Sequence, residues 1–161
     1  MRRDAFERLY ADHAEPLLGF LIYRTGDRAL AEDLLADAFE RAIRARSRFD
    51  RRRGREKTWL YTIAMNCLRD HRRREGAEER ALERAAAGGA AASDDPAEAV
   101  ADRDAVGRAM QALTEEERDA IALRYGADMS LPEIAELAGL PLTTVRGRVY
   151  GAMEKMRDQL G

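Results

Sequence analysis

Between Glu75 and Asp104 the chain offers little that a folded core could use. Glu78-Glu79 is followed by Ala85-Ala86-Ala87-Gly88-Gly89-Ala90-Ala91-Ala92-Ser93-Asp94-Asp95-Pro96, where acidic, small and turn-forming residues replace large apolar ones. One core cannot be drawn through such a stretch. The sequence therefore divides into a domain over residues 1–74, a linker over 75–104 and a second domain over 105–161. The linker is expected to be helical at either end at most, and disordered in its middle. Small domains bury a reduced fraction of their surface, so each half is expected to lean on a partner.

Both halves read as all-α, two small helical domains joined by a flexible linker. Ala, Leu, Arg and Glu dominate, and alternating β-branched runs are absent. In the first half, Phe6, Leu9, Tyr10 and His13 begin a helix expected to pause before Pro16, which suits the first turn of a second helix through Leu17, Leu18 and Leu21. Thr25-Gly26 breaks the pattern, and Asp27 can cap a third helix with Leu34, Leu35, Ala38, Phe39, Ala42 and Ile43 as its apolar stripe. After a basic loop, Thr58 opens a fourth, whose core face is Leu60, Ile63, Ala64, Cys67 and Leu68. These four helices can close a bundle.

The second half is punctuated more sharply. Thr114-Glu115-Glu116-Glu117 and Ser130-Leu131-Pro132-Glu133 both fit the capping box, which satisfies two orphan backbone donors reciprocally. The second box starts a short helix with Ile134, Leu137 and Ala138 facing inward. Gly139 fits a left-handed cap, and Pro141 restarts a helix carrying Val145, Val149, Ala152, Met153, Met156 and Leu160 on one face. Ser130 to Tyr150 is thus a helix, a tight turn and a helix. In such a unit the second helix enters the DNA major groove. Opposite the valines stand Thr143, Arg146, Gly147 and Tyr150. Arg146 can donate two bonds to guanine, Tyr150 can stack or touch a thymine methyl, and Thr143 can hold a phosphate or a base edge. Arg148 lies off that face, nearer the phosphates.

The net charge of −2 speaks against a polyanion binder only when averaged. Residues 40–74 hold 13 Arg and Lys against 4 Asp and Glu, a balance of +9. Screening acts over about 8 Å, so this block attracts phosphate whatever the remainder carries. Within it, Thr62, Asn66, Arg69, Asp70 and Arg73 share the polar side of one helix, beside the loop Arg51-Arg52-Arg53-Gly54-Arg55-Glu56-Lys57. Amides and guanidinium groups on a basic helix can trap an unstacked base. Trp59 and Tyr61 could stack on bases, although Trp59 also reads as core.

Other chemistry is thin. His13 and His71 are far apart and Cys67 sits on an apolar stripe, so no metal site and no cofactor are expected. Ser47, Ser93 and Ser130 lack a nucleophile context, and no paired acid and base stands out, so no enzyme is expected. A single cysteine excludes an intramolecular disulfide and fits a reducing cytoplasm; the longest apolar stretch, Leu17 to Tyr23, is too short to cross a bilayer.

These segments together resemble the extracytoplasmic-function group of bacterial sigma factors, across everything but the linker. Ala31 to Phe39 is similar to the segment of that family's second conserved region that docks on the β′ clamp helices of RNA polymerase. Phe49-Asp50, Trp59 to Asn66, Asp70 and Arg72-Arg73-Arg74 resemble the part that melts and reads the minus-ten element. Leu113 to Arg124, Glu133-Ile134-Ala135 and Thr144 to Arg148 resemble the fourth region, which reads the minus-thirty-five element.

The resemblance implies core polymerase (β′ clamp helices and β flap), promoter DNA and an anti-sigma factor as partners, in the cytoplasm and without membrane insertion. It places Glu32, Asp33 and Asp37 on the clamp. Arg51, Arg52, Arg53, Arg55, Lys57, Thr62, Asn66, Arg69 and Arg73 would lie at the minus-ten element, and Arg124, Thr143, Thr144, Arg146, Arg148 and Tyr150 at the minus-thirty-five element. Ala36 stands where glutamine is usual, and Thr114 where proline is. Gly147 and Gly151 stand where serine and arginine are common, which removes two DNA contacts and loosens the recognition helix.

As a coil, the 30-residue linker would hold its ends ~30 Å apart, with an extended limit of ~100 Å. It can span two DNA elements but cannot fix their spacing; something rigid must do that. Two alternatives remain at this stage: a free-standing helix-turn-helix regulator, which would bind DNA tightly without polymerase, and a helical adaptor that binds protein alone.

Overall fold

The computed structural model describes residues 2–85 and 101–161, with side chains described from 105 in the second segment. The expected disordered middle of the linker, Ala86 to Pro96, lies outside these residues. Among the described residues the secondary structure is helical throughout: α1 (Arg3–Thr25), α2 (Arg28–Ala45), a short 3-10 turn (Arg46–Arg48), α3 (Glu56–Ala85), α4 (Ala101–Gln111), α5 (Glu115–Ile121), a π-helical turn (Ala122–Gly126), α6 (Leu131–Ala138) and α7 (Leu142–Leu160). The all-α, two-domain architecture is as the sequence implies.

The helix count of the first half is not. The two helices expected on either side of Pro16 are one, α1, with Pro16 inside it, so three helices rather than four build this half. An interior proline costs about 3 kcal/mol. Burial offsets it: Leu9 precedes the proline and Leu17, Phe20 and Leu21 follow it, all essentially inaccessible. At the end of α1, Gly26 adopts φ 67° as the left-handed cap, and the Asp27 side chain accepts a bond from the Leu30 amide to start α2. Ile43, expected in the α2 stripe, is exposed, whereas Leu34, Ala38, Phe39 and Ala42 are buried. Helix α3 begins at Glu56, two residues before Thr58, and runs to Ala85, so it takes in the first part of the expected linker without burying side chains there.

In the second half both capping boxes form, Thr114 with Glu117 and Ser130 with Glu133. Gly139 ends α6 at φ 67°, and its tight turn leads into α7. Ile134, Val145, Val149 and Ala152 are buried as expected; Ala138 and Leu160 are not. The π-helical turn was not anticipated. It is registered by the Ala127 amide donating to the Ala122 carbonyl, five residues back, at 3.0 Å.

The two halves pack on each other. Their buried side chains form one cluster, from Leu9, Phe20 and Tyr61 to Ile121, Leu123 and Val149. At the seam, α1 meets the π-helical turn backbone to backbone. A β-carbon on Gly19 would collide with the Gly126 carbonyl oxygen, and one on Gly126 would stand 2.6 Å from the Gly19 carbonyl oxygen. Only glycine at both positions permits this approach.

Candidate nucleic-acid interface

Thr143, Thr144, Arg146, Gly147 and Tyr150 are exposed along α7, with Tyr150 55% accessible. The tight turn holds α6 across α7, and the buried valines fix which face points outward. Arg148 is half-buried and turned toward the first domain, where it lines a cleft with Asn66 and Arg69. Arg124 is half-buried as well; its Nη1 donates to the Met129 carbonyl at 3.0 Å, which ties the loop after the π-helical turn.

The first-domain surface is assembled differently. Thr62, Asn66 and Arg69 do share the polar face of α3, and Arg69 Nη1 donates to Asn66 Oδ1 at 3.3 Å. The Thr62 hydroxyl donates back to the Thr58 carbonyl at 2.8 Å. Arg73 pairs with Asp70, and Asp70 also takes Arg41 at 2.8 Å; these two guanidinium groups hold its carboxyl below the usual range. The loop Arg51, Arg52, Arg53 and Arg55 is exposed, with Arg51 3.1 Å from Glu56. Tyr61 cannot stack on a base: it is fully buried with its ring 6.0 Å from Phe20, and burial pushes its hydroxyl well above the usual range. Trp59 is half-buried against Phe49 at 5.0 Å, which favours its core reading.

On α2, Glu32 and Asp33 are exposed and Asp37 is half-buried. Glu32 pairs with Arg28 at 3.2 Å and Asp37 with Arg41 at 3.2 Å. Cys67 is buried and its thiol is pushed up to about 12, first by burial and then by Asp37. Among the described residues no group of acidic, histidine or cysteine side chains is arranged to hold a metal, and no helix is long and apolar enough to cross a membrane.

What sequence reasoning missed lies between the domains. Arg24, which looks like an ordinary helix-end cation, is buried, its side chain 3% accessible; Nη2 donates to Glu115 at 2.6 Å and Nε lies 2.8 Å from Asp119. Arg72, part of the segment that resembles the minus-ten-reading region, donates to the same Glu115 at 2.9 Å and to the Arg24 carbonyl at 3.0 Å. Lys57 donates to Glu133 at 2.7 Å, and Arg55 stands 3.6 Å from Glu136. Lys57 and the Ser130 amide together lower the Glu133 carboxyl to about 2. Partners this far apart in the sequence leave no periodic signal; the acidic turns of α5 and α6 read locally as helix caps and nothing more.

A helical bundle bearing a basic polar helix, joined to a helix-turn-helix with an exposed arginine and tyrosine, defines a two-domain DNA-binding protein. The sigma-70 region 2 pattern matches residues 9–78, and the sigma-70 region 4 pattern matches residues 109–158. The chain is 36% identical over 99% of its length to the RNA polymerase sigma factor CarQ of Myxococcus xanthus, covering 91% of that protein. It is 28% identical over 97% of its length to the extracytoplasmic-function sigma factor RpoE of Cereibacter sphaeroides, covering 86% of it. Among solved structures it is similar to RpoE of Bartonella quintana in complex with the anti-sigma factor NepR (TM-score 0.72, 23% identity, 97% of this chain and 96% of that one). It is also similar to CnrH in complex with the cytosolic domain of CnrY (TM-score 0.65, 26% identity, 99% and 89%). The chain belongs to the sigma-70 family and, within it, to the extracytoplasmic-function RNA polymerase sigma factors. The free-standing regulator is not favoured.

Proposed function

We propose that residues 1–74 dock on core RNA polymerase and open the minus-ten element, that residues 105–161 read the minus-thirty-five element, and that residues 75–104 join them without measuring their spacing. The observation that carries this reading is the exposed row Thr143, Arg146 and Tyr150 on a helix whose opposite face is buried. Arg146 contributes bidentate bonds to a guanine, Tyr150 packs on a neighbouring base, and Thr143, Thr144, Arg124 and Arg148 contact the upstream element or its phosphates. In the first domain Asn66, with Thr62 and Arg69, captures an unstacked base, while Arg51, Arg52, Arg53, Arg55, Lys57 and Arg73 neutralise phosphates. Glu32, Asp33 and Asp37 meet the clamp helices, and the second domain engages the β flap. The protein works in the cytoplasm and catalyses no reaction of its own; polymerase supplies the chemistry. Since a similar solved structure is a complex with an anti-sigma factor, an inhibitor of that kind is the expected protein partner.

The test is in-vitro transcription by core polymerase plus this chain on a promoter library. Enrichment of two conserved elements at fixed spacing, lost with Asn66→Ala at the downstream one and with Arg146→Ala at the upstream one, supports the assignment. Tight specific binding by the isolated chain, with no added transcription, would count against it.

A further inference from the structure

Where the C-terminal turn of α1 meets α3 and α4, the chain leaves a recess of about 570 Å³. Small-molecule sites span ~300–1,000 Å³. Part of the wall is apolar: Ile22, Tyr23, Val106 and Met110, with Tyr23 and Val106 exposed. The other part is cationic. Arg24, Arg28, Arg72 and Arg118 line it, and among the described residues no carboxylate does. Arg24 is buried, and its Nη1 is out of reach of solvent yet has no hydrogen-bond partner. Buried polar groups are nearly always paired, so such a group calls for an explanation. Against the four guanidinium groups stand three carboxylates as ion-pair partners, Glu115, Asp119 and Glu32. One positive charge is left over. Burial and the neighbouring Arg24 hold the Arg72 guanidinium below its ordinary range, a mark of crowded positive charge. Arg72 and Arg118 spend only part of their N–H donors on Glu115 and on backbone carbonyls.

We propose that this recess is a binding site for a small amphipathic monoanion, a carboxylate carried on an apolar body. The carboxylate sits among Arg28, Arg72 and Arg118, in the field of the unpartnered Arg24 edge, and the body lies along Ile22, Tyr23, Val106 and Met110. Charge selects the head group: a guanidinium fork matches a carboxylate, and one negative charge cancels the surplus of one. The apolar wall selects the body. A bare anion would leave that wall in water, and a neutral molecule would leave the cations unmatched. An occupant touches α1, α3 and α4 together, so it stabilises the folded chain by mass action. Tyr23, Arg28, Val106 and Met110 are not among the residues assigned above to DNA or to the clamp, so the site stands apart from promoter reading.

The test titrates the full-length chain with the fluorescent monoanion anilinonaphthalenesulfonate, whose sulfonate stands in for the carboxylate. The bound dye is then competed with octanoate, with octanamide and with inorganic phosphate. The expected result is saturable one-to-one binding displaced by octanoate. Octanamide, which lacks the charge, and phosphate, which lacks the apolar body, should compete roughly tenfold more weakly. Val106→Glu brings a carboxylate to the exposed edge of the recess, and Arg28→Glu reverses a cation at its rim. Each should weaken both dye and octanoate roughly tenfold while the melting temperature without ligand stays unchanged. Saturating octanoate should raise the melting temperature of the native chain but not of Val106→Glu. The two variants lie on different helices, which keeps the test available if one folds poorly. Absence of saturable binding overturns the proposal, as does binding that neither variant weakens. Phosphate competing as well as octanoate overturns it too, because the site would then read charge alone.

Discussion

The two helices that we propose face DNA, α7 and α3, carry comparable side chains and differ in what surrounds them. On α7, Thr143, Arg146 and Tyr150 point into solvent. On α3, Thr62, Asn66 and Arg69 line a cleft shared with the other domain, and Lys57 near the start of the helix is ion-paired to Glu133. The first surface lies free of the other domain, whereas the second borders it, with Thr62, Asn66 and Arg69 still exposed. A guanidinium group therefore cannot be judged a DNA contact from helix position alone; the neighbouring domain decides whether it is available.

The largest way to break this contrast is Arg24→Met. The buried guanidinium bridges Glu115 and Asp119, and removing one member of a buried pair costs about 3–5 kcal/mol. The exposure of Glu115 places the expected cost at the lower end. The domains should then separate, giving an expanded chain by scattering and an earlier, broader thermal transition; a compact chain with unchanged melting would show that Arg24 does not hold the seam.

Next comes Arg146→Ala, which acts on the open surface alone. Loss of a bidentate guanine contact should weaken holoenzyme binding to an upstream-element duplex by about 1–3 kcal/mol. The radius of gyration of the free chain should not move, and a coupled change in both would contradict the independence of the two surfaces.

Smaller effects are expected at Gly147 and Gly151, where a β-carbon would meet nothing within 4 Å. Each change to alanine should stabilise α7 by about 0.5–1 kcal/mol, read as a rise in melting temperature with closure unaffected. If instead DNA binding falls sharply, the glycines serve close approach to DNA rather than merely loosening the helix.

The smallest effect at ordinary pH concerns Glu133. Its carboxyl is lowered in the folded chain to about 2, first by Lys57 and then by the Ser130 amide. A depressed carboxyl contributes stability that is complete above the usual carboxylate range and is lost as pH falls toward 2. Acid should thus open the seam over that window, and Glu133→Gln should flatten this part of the scattering profile; an identical acid profile in the variant would assign the opening to other groups.

The cleft-facing surface was also the harder one to read. Capping boxes at Thr114 and Ser130, the left-handed Gly139 and the valine periodicity of α7 are local signals, set by backbone donors and by the helical period within one segment. They were legible, and so was the outward row of Arg146 and Tyr150. Pro16 was misread because its local cost is outweighed by Leu17, Phe20 and Leu21, whose burial depends on the rest of the bundle. Tyr61 was misread because its place on α3 admits either face until Phe20 arrives from α1.

The sequence by itself determined the all-helical class, the caps at Asp27, Thr114, Ser130 and Gly139 and the basic block of 40–74, because each follows from neighbours within a few residues. Only the tertiary structure decided that the halves lean on each other, that Gly19 and Gly126 touch, and that Arg24, Lys57 and Arg72 spend their charge on carboxylates from the far domain. Arg24 and Glu115 are 91 residues apart. Ion pairs and backbone contacts across such distances depend on where whole helices come to rest, which no local pattern encodes.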